Sequence, residues 1–299
     1  MKKSLRFAII AASYILLCIL ASSPLLSNVY AVPPKRLISL APNMTEILYA
    51  LNLGESIVGV TSFCDRPEEA KKKAKIGGMT NPSLEAIISL KPDIVVMTTD
   101  GNPKEFEERL RSLKIKTYVF KAKRLSELPQ GIRDMGLAIG VKDRAEILAK
   151  KMEDAINRFK SQKSNPPSPP FSKGGRGGIN DSSLKKKVLF IIWPGPLIVA
   201  GTGTVIDDAI TLLGAENIAA KAKTSYPKYS IEEIIHQSPD VIFIGGGHIN
   251  TKEVSRGLLK KMHSVPAVKN GYVFYLSDSL YRLGPRVIRG IEEMAECLK

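Results

Sequence analysis

Two glutamates occupy matching places in the two halves of this chain and are its clearest candidates for recognition chemistry. Glu85 lies two residues after Ser83, and Glu232 lies two residues after Ser230, 147 positions further along. Each serine is typical of a helix N-cap, which would place each carboxylate on an exposed first turn. Such a carboxylate either interacts with the helix macrodipole or makes a charge-assisted contact with a cationic partner. The macrodipole explains either glutamate alone, whereas the repeated position favours a shared binding role.

Aromatic and methionine side chains offer a second kind of chemistry, that of broad apolar contact. Phe63, Trp193 and Tyr281 follow predicted strands, and Met79 and Tyr226 precede the two repeated helices. Polarisable rings and thioethers suit a large, flat ligand. Ordinary core packing is the competing interpretation for each of them.

Few residues favour catalysis or metal binding. The three histidines, His236, His248 and His263, have no second histidine or cysteine at metal-ligand spacing. His248 follows three glycines at a predicted strand end, where it either faces a ligand or lies in a polar loop. Residues 200–204 resemble a dinucleotide-binding loop, but Ile206 stands where its third glycine would be. We therefore expect no enzyme, no metal site and no cofactor, with a nucleotide-using enzyme as a remote alternative.

The two glutamates belong to a longer repeat that predicts two similar lobes. Residues 83–97 and 230–244 each contain a capped helix, a proline that ends it and a β-branched apolar run. Strands and helices alternate over residues 36–120 and again from residue 186, which predicts an α/β fold with parallel sheets covered by helices. Ligands bind beyond the carboxyl ends of such strands. One loop expected there covers residues 193–203.

The first predicted helix has recognisable signals at both ends. Asn43 and Glu46 have the spacing of a capping pair, and Gly54 is a candidate helix stop. Gly214 follows a leucine in the second half as Gly54 does in the first, which supports the two-lobe interpretation.

The segment between the lobes differs in composition. Residues 125–163 carry no strand pattern and predict two helices broken at Gly140, the second of them a long spine. Residues 164–184 hold four prolines and four glycines and predict a disordered insert, with a proline-motif ligand as the alternative. We therefore predict an N-terminal α/β lobe at 32–124, the helical segment at 125–163, the insert at 164–184 and a C-terminal α/β lobe at 185–299.

The first 31 residues predict an export signal. A basic start (Lys2, Lys3 and Arg6) precedes an apolar stretch over residues 7–20, and residues 29–31 suit a signal peptidase. An uncleaved membrane anchor is the alternative. The expected location is the periplasm, or the outer face of the cytoplasmic membrane if the leader is kept.

The charge pattern and the cysteine content exclude two further classes of protein, nucleic-acid-binding proteins and domains held by a disulfide framework. The formal charge is +15, but the lysines are scattered and no basic stripe with interleaved aromatic residues indicates nucleic-acid binding. Only Cys64 and Cys297 follow the leader, and they lie in different halves, which excludes a disulfide framework.

Several motifs resemble those of one known family. They comprise residues 58–67 (Val-Gly-Val-Thr-Ser-Phe-Cys-Asp-Arg-Pro), Gly77-Gly78, residues 81–85 (Asn-Pro-Ser-Leu-Glu) and the late Ser277-Asp278 to Pro285-Arg286. Together they resemble the substrate-binding proteins of ABC importers for cobalamin and iron complexes, over residues 35–299 apart from the insert.

This resemblance implies two Rossmann-like lobes bridged by one long helix, with little closure on binding. It implies that the protein is a monomer that meets a permease dimer with its ATPase subunits. Glu85 and Glu232 would then dock onto arginines of the two permease subunits, since paired carboxylates suit a two-fold receptor.

The resemblance also implies the ligand site. Phe63, Met79 and Tyr226 fall at or near the places where aromatic residues flank the corrin in the cobalamin-binding branch. Met79 and Thr98 stand where tryptophans can occur in that branch, and Trp193 would compensate.

Asp278 and Arg282 complete the predicted ligand-binding residues. Cobalamin or a related corrinoid is the expected ligand. The alternatives are haem, with Tyr226 as a possible iron ligand, and a ferric siderophore, for which Arg282 would supply charge.

Overall fold

The structure is a computed structural model that describes residues 33–164, 185–246 and 251–299, without the side chains of 162–164. Predictions about the leader, about residues 165–184 and about His248 lie outside the described residues. No helix in the described part of the chain is long and apolar enough to span a membrane.

The first sheet forms the core of an N-terminal lobe, residues 33–124. Its strands are β1 (Leu37–Ser39), β2 (Ile57–Val60), β3 (Ala74–Lys75), β4 (Ile94–Thr98) and β5 (Thr117–Phe120). All pair in parallel in the order β3-β2-β1-β4-β5. Its helices are α1 (Pro42–Ala50), α2 (Leu84–Ser89) and α3 (Lys104–Ser112). The central strands β1, β2 and β4 are mostly apolar, with Ser39 and Thr98 at the carboxyl ends of β1 and β4, because helices cover both faces.

A helical pair follows the first sheet. After a 3-10 turn at Leu125–Glu127 come α4 (Leu128–Ala138) and α5 (Lys142–Ser164). Gly140 lies between them with φ +76°, a conformation that glycine adopts without strain. The 23 residues of α5 extend over about 35 Å. The predicted break at Gly140 and the predicted long helix are confirmed.

The second sheet forms the core of a C-terminal lobe, residues 185–246 and 251–299. Its strands are β6 (Lys187–Pro194), β7 (Leu197–Val199), β8 (Glu216–Asn217), β9 (Val241–Gly245) and β10 (Val273–Leu276). The order is β10-β9-β6-β7, with β8 also beside β6. Its helices are α6 (Val205–Leu212), α7 (Ile231–Gln237), α8 (Thr251–Lys261), α9 (Pro266–Lys269) and α10 (Val287–Leu298). The predicted α/β class with two lobes is confirmed.

Strand β7 corrects one expectation. The sequence predicts a loop over residues 193–203, but β6 continues to Pro194 and β7 returns antiparallel to it, with Trp193 opposite Ile198. The hairpin adds β7 as an antiparallel edge strand of the sheet, which the sequence pattern of parallel strands did not indicate.

The core is continuous between the two lobes. Leu37 of β1, Met152 of α5 and Phe190 of β6 belong to one cluster of buried apolar side chains. The spine helix packs against α4 and against α6 and α10 of the C-terminal lobe rather than forming a detached linker.

The helix ends confirm two predicted N-caps and correct two predictions about α1. The hydroxyls of Ser83 and Ser230 accept hydrogen bonds from the third backbone N–H of their helices, as predicted for N-caps. In α1 the predicted capping pair is wrong. Ala41 is the N-cap and has no side-chain cap, because Pro42 at the first position already suits the helix start. The predicted stop at Gly54 is also wrong, since the chain leaves α1 at Leu51.

Candidate ligand-binding cleft

A cleft of about 170 Å³ lies between the two lobes. Its walls are loops that follow strand ends, as parallel sheets predict. The N-terminal lobe contributes Asn43, Thr98, Thr99, Asp100, Ala122 and Lys123, and the C-terminal lobe contributes Gly203, Thr204, Val205, Ser225, Tyr226, Tyr281 and Leu283.

Asn102 holds together the wall of the N-terminal lobe. Its amide nitrogen donates to the carbonyls of Leu40 and Met79, both at 2.9 Å, and its amide oxygen accepts from the backbone N–H of Thr98 at 2.9 Å. One side chain thus ties the ends of β1 and β4 to the loop that carries Met79. Sequence reasoning missed this residue, because a single asparagine in a loop carries no motif.

Phe63 lies beside the loop that carries Met79. The Phe63 side chain is 57% exposed, a large apolar surface to leave in water. Its ring lies 3.7 Å from where a Cβ on Gly78 would be, and the Met79 methyl lies against Gly101. Gly101 has φ +100°, so the turn beneath Met79 requires glycine.

Cys64 anchors the turn that presents Phe63. The thiol is buried, and its Sγ lies 3.1 Å from the hydroxyls of both Thr45 and Thr61. Cys64 is a free cysteine, and its contacts with the two threonines hold this turn in place.

Tyr226 is the predicted residue that the structure places directly in the cleft. It is 50% exposed and lies near Asp100 of the opposite wall. Desolvation and the charge of Asp100 raise the pKa of the Tyr226 hydroxyl, so the phenol stays protonated at neutral pH. A hydrogen bond of 2.8 Å from the Gly201 N–H to the Ser225 carbonyl fixes the neighbouring loop.

The glycine-containing loop before α6 is a structural helix entry. Thr204 caps α6 by accepting from the Asp207 N–H at 3.0 Å. The buried Asn217 donates to the carboxylate of Asp207 at 2.9 Å and closes the turn. These contacts fit the interpretation of residues 200–204 as a tight turn.

Tyr281 forms the floor on the side of the C-terminal lobe. Its ring packs edge-on against Phe190 and its hydroxyl donates to the Ile192 carbonyl at 3.4 Å. A Cβ on Gly245 would lie 1.5 Å from that hydroxyl, so only glycine fits below the tyrosine. Burial raises the pKa of Tyr281, and the ring acts as a neutral apolar surface.

Trp193 is part of the β6–β7 hairpin, and its indole N–H donates to the Gly195 carbonyl. It directly follows Ile192, whose carbonyl accepts from the cleft residue Tyr281. Of the predicted ligand-binding residues, Tyr226 lines the cleft, whereas Phe63, Met79 and Trp193 lie outside its lining.

Asp278 takes part in an ion-pair network between the lobes. Arg286 contacts Asp278 at 3.0 Å and Glu46 of α1 at 2.9 Å. Burial alone would raise the pKa of Asp278, but the hydrogen bond and charge of Arg286, together with the charges of Arg282 and Arg66, hold it below its usual value. The carboxylate is therefore ionised and already paired.

Arg282 differs from Arg286 in having an unsatisfied donor. Its Nη1 atom is buried and has no hydrogen-bond partner among the described residues. A buried guanidinium N–H without an acceptor is costly, and a ligand oxygen would satisfy it. Among the predicted site residues, Arg282 is the one with a buried hydrogen-bond donor that no described residue satisfies.

A second contact joins the lobes near the spine helix. Asp208 of α6 accepts from the Leu125 N–H at 2.8 Å and forms an ion pair with Arg124. Burial raises the pKa of Asp208.

Glu85 and Glu232 have matching surroundings. Both are exposed, and both pKa values are lowered first by a hydrogen bond from the glutamate's own backbone N–H and then by the N-cap serine. The two carboxylates are ionised at neutral pH, and their exposure allows each to form an ion pair with a cationic partner.

No group of three or more His, Cys, Asp or Glu side chains within the described ranges is placed to hold a metal ion. The histidines His236 and His263 are both exposed and lie on α7 and just after α8.

A family model for periplasmic binding proteins matches residues 37–280. The chain belongs to this family. It is 28% identical to a vitamin B12-binding protein of Pectobacterium carotovorum over 94% of each chain. It is also 31% identical to an ABC transporter substrate-binding lipoprotein of Bacillus subtilis, over 89% of this chain and 80% of the relative. A solved periplasmic heme-binding protein of Roseiflexus superposes with a TM-score of 0.74 and 28% identity, over 88% of this chain and 97% of that one.

Membership of the periplasmic binding protein family decides the functional class of this protein. The protein is a substrate-binding protein of an ABC importer, and the prediction that it is not an enzyme is confirmed. Small molecules bind to proteins of this kind as transported ligands rather than as cofactors.

Proposed function

We propose that this protein captures cobalamin or a related corrinoid at the mouth of the cleft, outside the cytoplasm, and delivers it to an ABC permease. The observation that carries the proposal is a pair of exposed aromatic rings, one on each lobe. Phe63 is 57% exposed beside the loop that carries Met79, and Tyr226 is 50% exposed in the cleft, near Asp100. Two such rings suit apolar contact with a large macrocycle.

The size of the cleft supports binding at its mouth. Ligand pockets usually measure about 300–1,000 Å³, whereas this cleft measures about 170 Å³. A macrocycle would therefore lie across the rim, with Phe63 and Tyr226 at its edges, and a narrower substituent would enter between the lobes.

Arg282 supplies the polar part of the proposed site. Its unpartnered Nη1 would donate to an amide or phosphate oxygen of a corrinoid, and Asp278 lies beside it. Arg286 is already held by Glu46 and Asp278, so Arg282 is the arginine available to the ligand.

Haem is the second candidate, because a heme-binding protein is among the similar solved structures. Tyr226 would then have to bind ferric iron as a phenolate. The similarity to a vitamin B12-binding protein favours the corrinoid over haem.

Glu85 and Glu232 are the proposed contacts to the permease. Both lie on exposed first turns of repeated helices, ionised and capped in the same way. A two-fold permease with one arginine on each subunit would engage both lobes together. We also propose that the chain acts as a monomer and reaches the permease after export through its N-terminal leader.

Calorimetric titration of the exported protein with cyanocobalamin, with haemin as comparator, tests the ligand. One-to-one binding of cyanocobalamin with a micromolar or smaller Kd is the expected result. Binding of haemin alone would leave the transport role intact and move the ligand to iron chemistry. No binding of either compound would overturn both ligand assignments.

A further inference from the structure

The outer edge of the C-terminal lobe is strongly basic. From Thr251 to Leu276 the chain carries five lysines and arginines and one glutamate. Lys252, Arg256, Lys260, His263 and Tyr275, with Leu259 and Val268, line a shallow groove of about 490 Å³ beside α8 and β10. We call this surface the basic edge. The charges lie close together in the sequence, and the helical repeat of α8 places three of them on one face.

The cations of the basic edge lack neutralising partners. Lys252, Arg256 and Lys260 follow one another at four-residue steps, so they share one face of α8. In the described part of the chain, no carboxylate lies within 4 Å of any of them. Like charges at this spacing repel one another, which costs helix stability unless an anion neutralises them.

The corresponding helix of the N-terminal lobe shows that the fold does not require this charge. Helix α3 follows β4 as α8 follows β9, and each leads to an edge strand. On α3, however, two of the three cations are paired, Lys104 with Glu108 at 3.7 Å and Arg111 with Glu107 at 2.7 Å, and among the described residues only Arg109 of this helix forms no ion pair. Of the two helices, α8 therefore carries the less neutralised charge.

Aromatic and apolar side chains accompany the charge. The Lys252 ammonium lies 5.5 Å from the centre of the Tyr275 ring, and the Tyr275 hydroxyl hydrogen-bonds to Ser255 at 2.7 Å. Tyr272 and Val254 are each 51% exposed on the same segment. Tyrosines beside lysines and arginines are typical of surfaces that lie at the headgroup level of a bilayer.

We propose that the basic edge binds the anionic phospholipid surface of the membrane in which the permease is embedded. The three cations of α8 are spaced by about 6 Å and extend over about 12 Å along the helix, so they meet several headgroups at once. Each such cation adds to the attraction of an anionic leaflet, and the exposed tyrosines supply the interfacial contact. A flat array of anions fits the shallow shape of this edge and its combination of cations with exposed tyrosines.

Vesicle co-sedimentation of the exported protein, the form used in the titration above, tests the proposal. The variant is Lys252→Glu/Arg256→Glu/Lys260→Glu. The matched control, Arg109→Glu/Lys116→Glu/Lys121→Glu, makes the same charge change at exposed positions of the N-terminal lobe. With phosphatidylglycerol vesicles we expect at least tenfold weaker binding of the α8 variant and less than threefold for the control, with the wild-type affinity falling as salt rises.

Other outcomes would overturn the proposal. These are equal loss in the two variants, equal wild-type binding to phosphatidylcholine vesicles, or binding to polyglutamate without binding to phosphatidylglycerol, which would indicate an acidic protein partner. Lys252→Gln/Arg256→Gln/Lys260→Gln serves as a second variant in case charge reversal impairs folding. It should weaken vesicle binding at least threefold while circular dichroism stays unchanged.

Discussion

Glu46 and Arg286, 240 residues apart, form a two-pronged ion pair that joins the lobes beside the cleft. Arg286 Nε donates to one carboxylate oxygen at 3.0 Å and Nη2 donates to the other at 2.9 Å. The Glu46 side chain is 7% exposed and that of Arg286 24%. Nearby, the Asn43 amide donates to the Leu283 carbonyl at 3.3 Å, so α1 and the loop before α10 are joined at two points.

Removal of Arg286 should destabilise the protein markedly. Arg286→Ala leaves the buried Glu46 carboxylate without its partner, and we expect the free energy of unfolding to fall by about 2–3 kcal/mol. Urea denaturation measures the change. Arg289→Ala is the control, since its pair with Glu293 is solvent-exposed and should cost less than about 1 kcal/mol. Equal costs for the two variants would contradict the role of the inter-lobe pair.

Arg282 should matter for binding rather than for stability. Because its Nη1 has no partner in the free protein, Arg282→Ala should leave the urea midpoint nearly unchanged. A lost charged hydrogen bond corresponds to about 1.5–3 kcal/mol, or a tenfold to hundredfold weaker Kd for cyanocobalamin by calorimetry. Arg289→Ala should bind normally. A clear loss of stability without a loss of affinity would show that Arg282 is structural.

Phe63 should contribute apolar contact to the ligand. Phe63→Ala removes a ring that is already 57% exposed, so the fold should tolerate it. We expect about tenfold weaker binding of cyanocobalamin, since aromatic groups dominate such contacts. Tyr272→Ala, at an aromatic residue 51% exposed on the far edge of the C-terminal lobe, is the matched control. Similar affinities for the two variants would place the ligand elsewhere.

Glu85 and Glu232 should act in uptake and not in ligand capture. The double variant Glu85→Gln/Glu232→Gln removes both charges with little change in shape. Uptake of cyanocobalamin by cells should be abolished while the calorimetric Kd stays the same. Glu105→Gln/Glu253→Gln is a matched control, because these glutamates also lie in first helical turns, one in each lobe. Normal uptake by the first double variant would refute the docking role.

Asp278 should make stability depend on acidic pH. Its pKa in the folded protein is below its usual value, because the neighbouring arginines outweigh the effect of burial. A carboxyl of this kind contributes stability above its unfolded pKa of about 3.9 and loses it as pH falls through the folded pKa. Thermal unfolding between pH 5 and pH 2.5, roughly the window that these pKa values set, should show a smaller loss for Asp278→Asn than for wild type. A parallel decline of the two proteins would contradict the assignment.

The sequence predicts the elements well because their causes are local. Ser83 and Ser230 cap helices through their own neighbours, and the apolar runs of β4 and β9 need only their own composition to be recognised. Hairpin β6–β7 was missed, since Trp193 and Ile198 pair through a short turn inside a segment without strand periodicity.

The sequence predicts the site less well because its contacts are remote in the chain. Asn43 and Glu46 have the spacing of a helix cap, yet their side chains contact Leu283 and Arg286. The links that Asn102 makes to Leu40 and Met79 likewise have no local pattern. Such pairings become visible only once the two halves are brought together.

The continuous apolar core through both sheets and the spine helix has a consequence for how the importer senses occupancy. Leu37, Met152 and Phe190 share this core, so one lobe cannot swing away without exposing it. On the proposed function, a large hinge motion would therefore not report the bound ligand to the permease. The loaded and empty states would instead differ at the rim, in the exposed surface of the ligand and in the loops that carry Phe63 and Tyr226. The permease would then recognise a surface made of protein and ligand together.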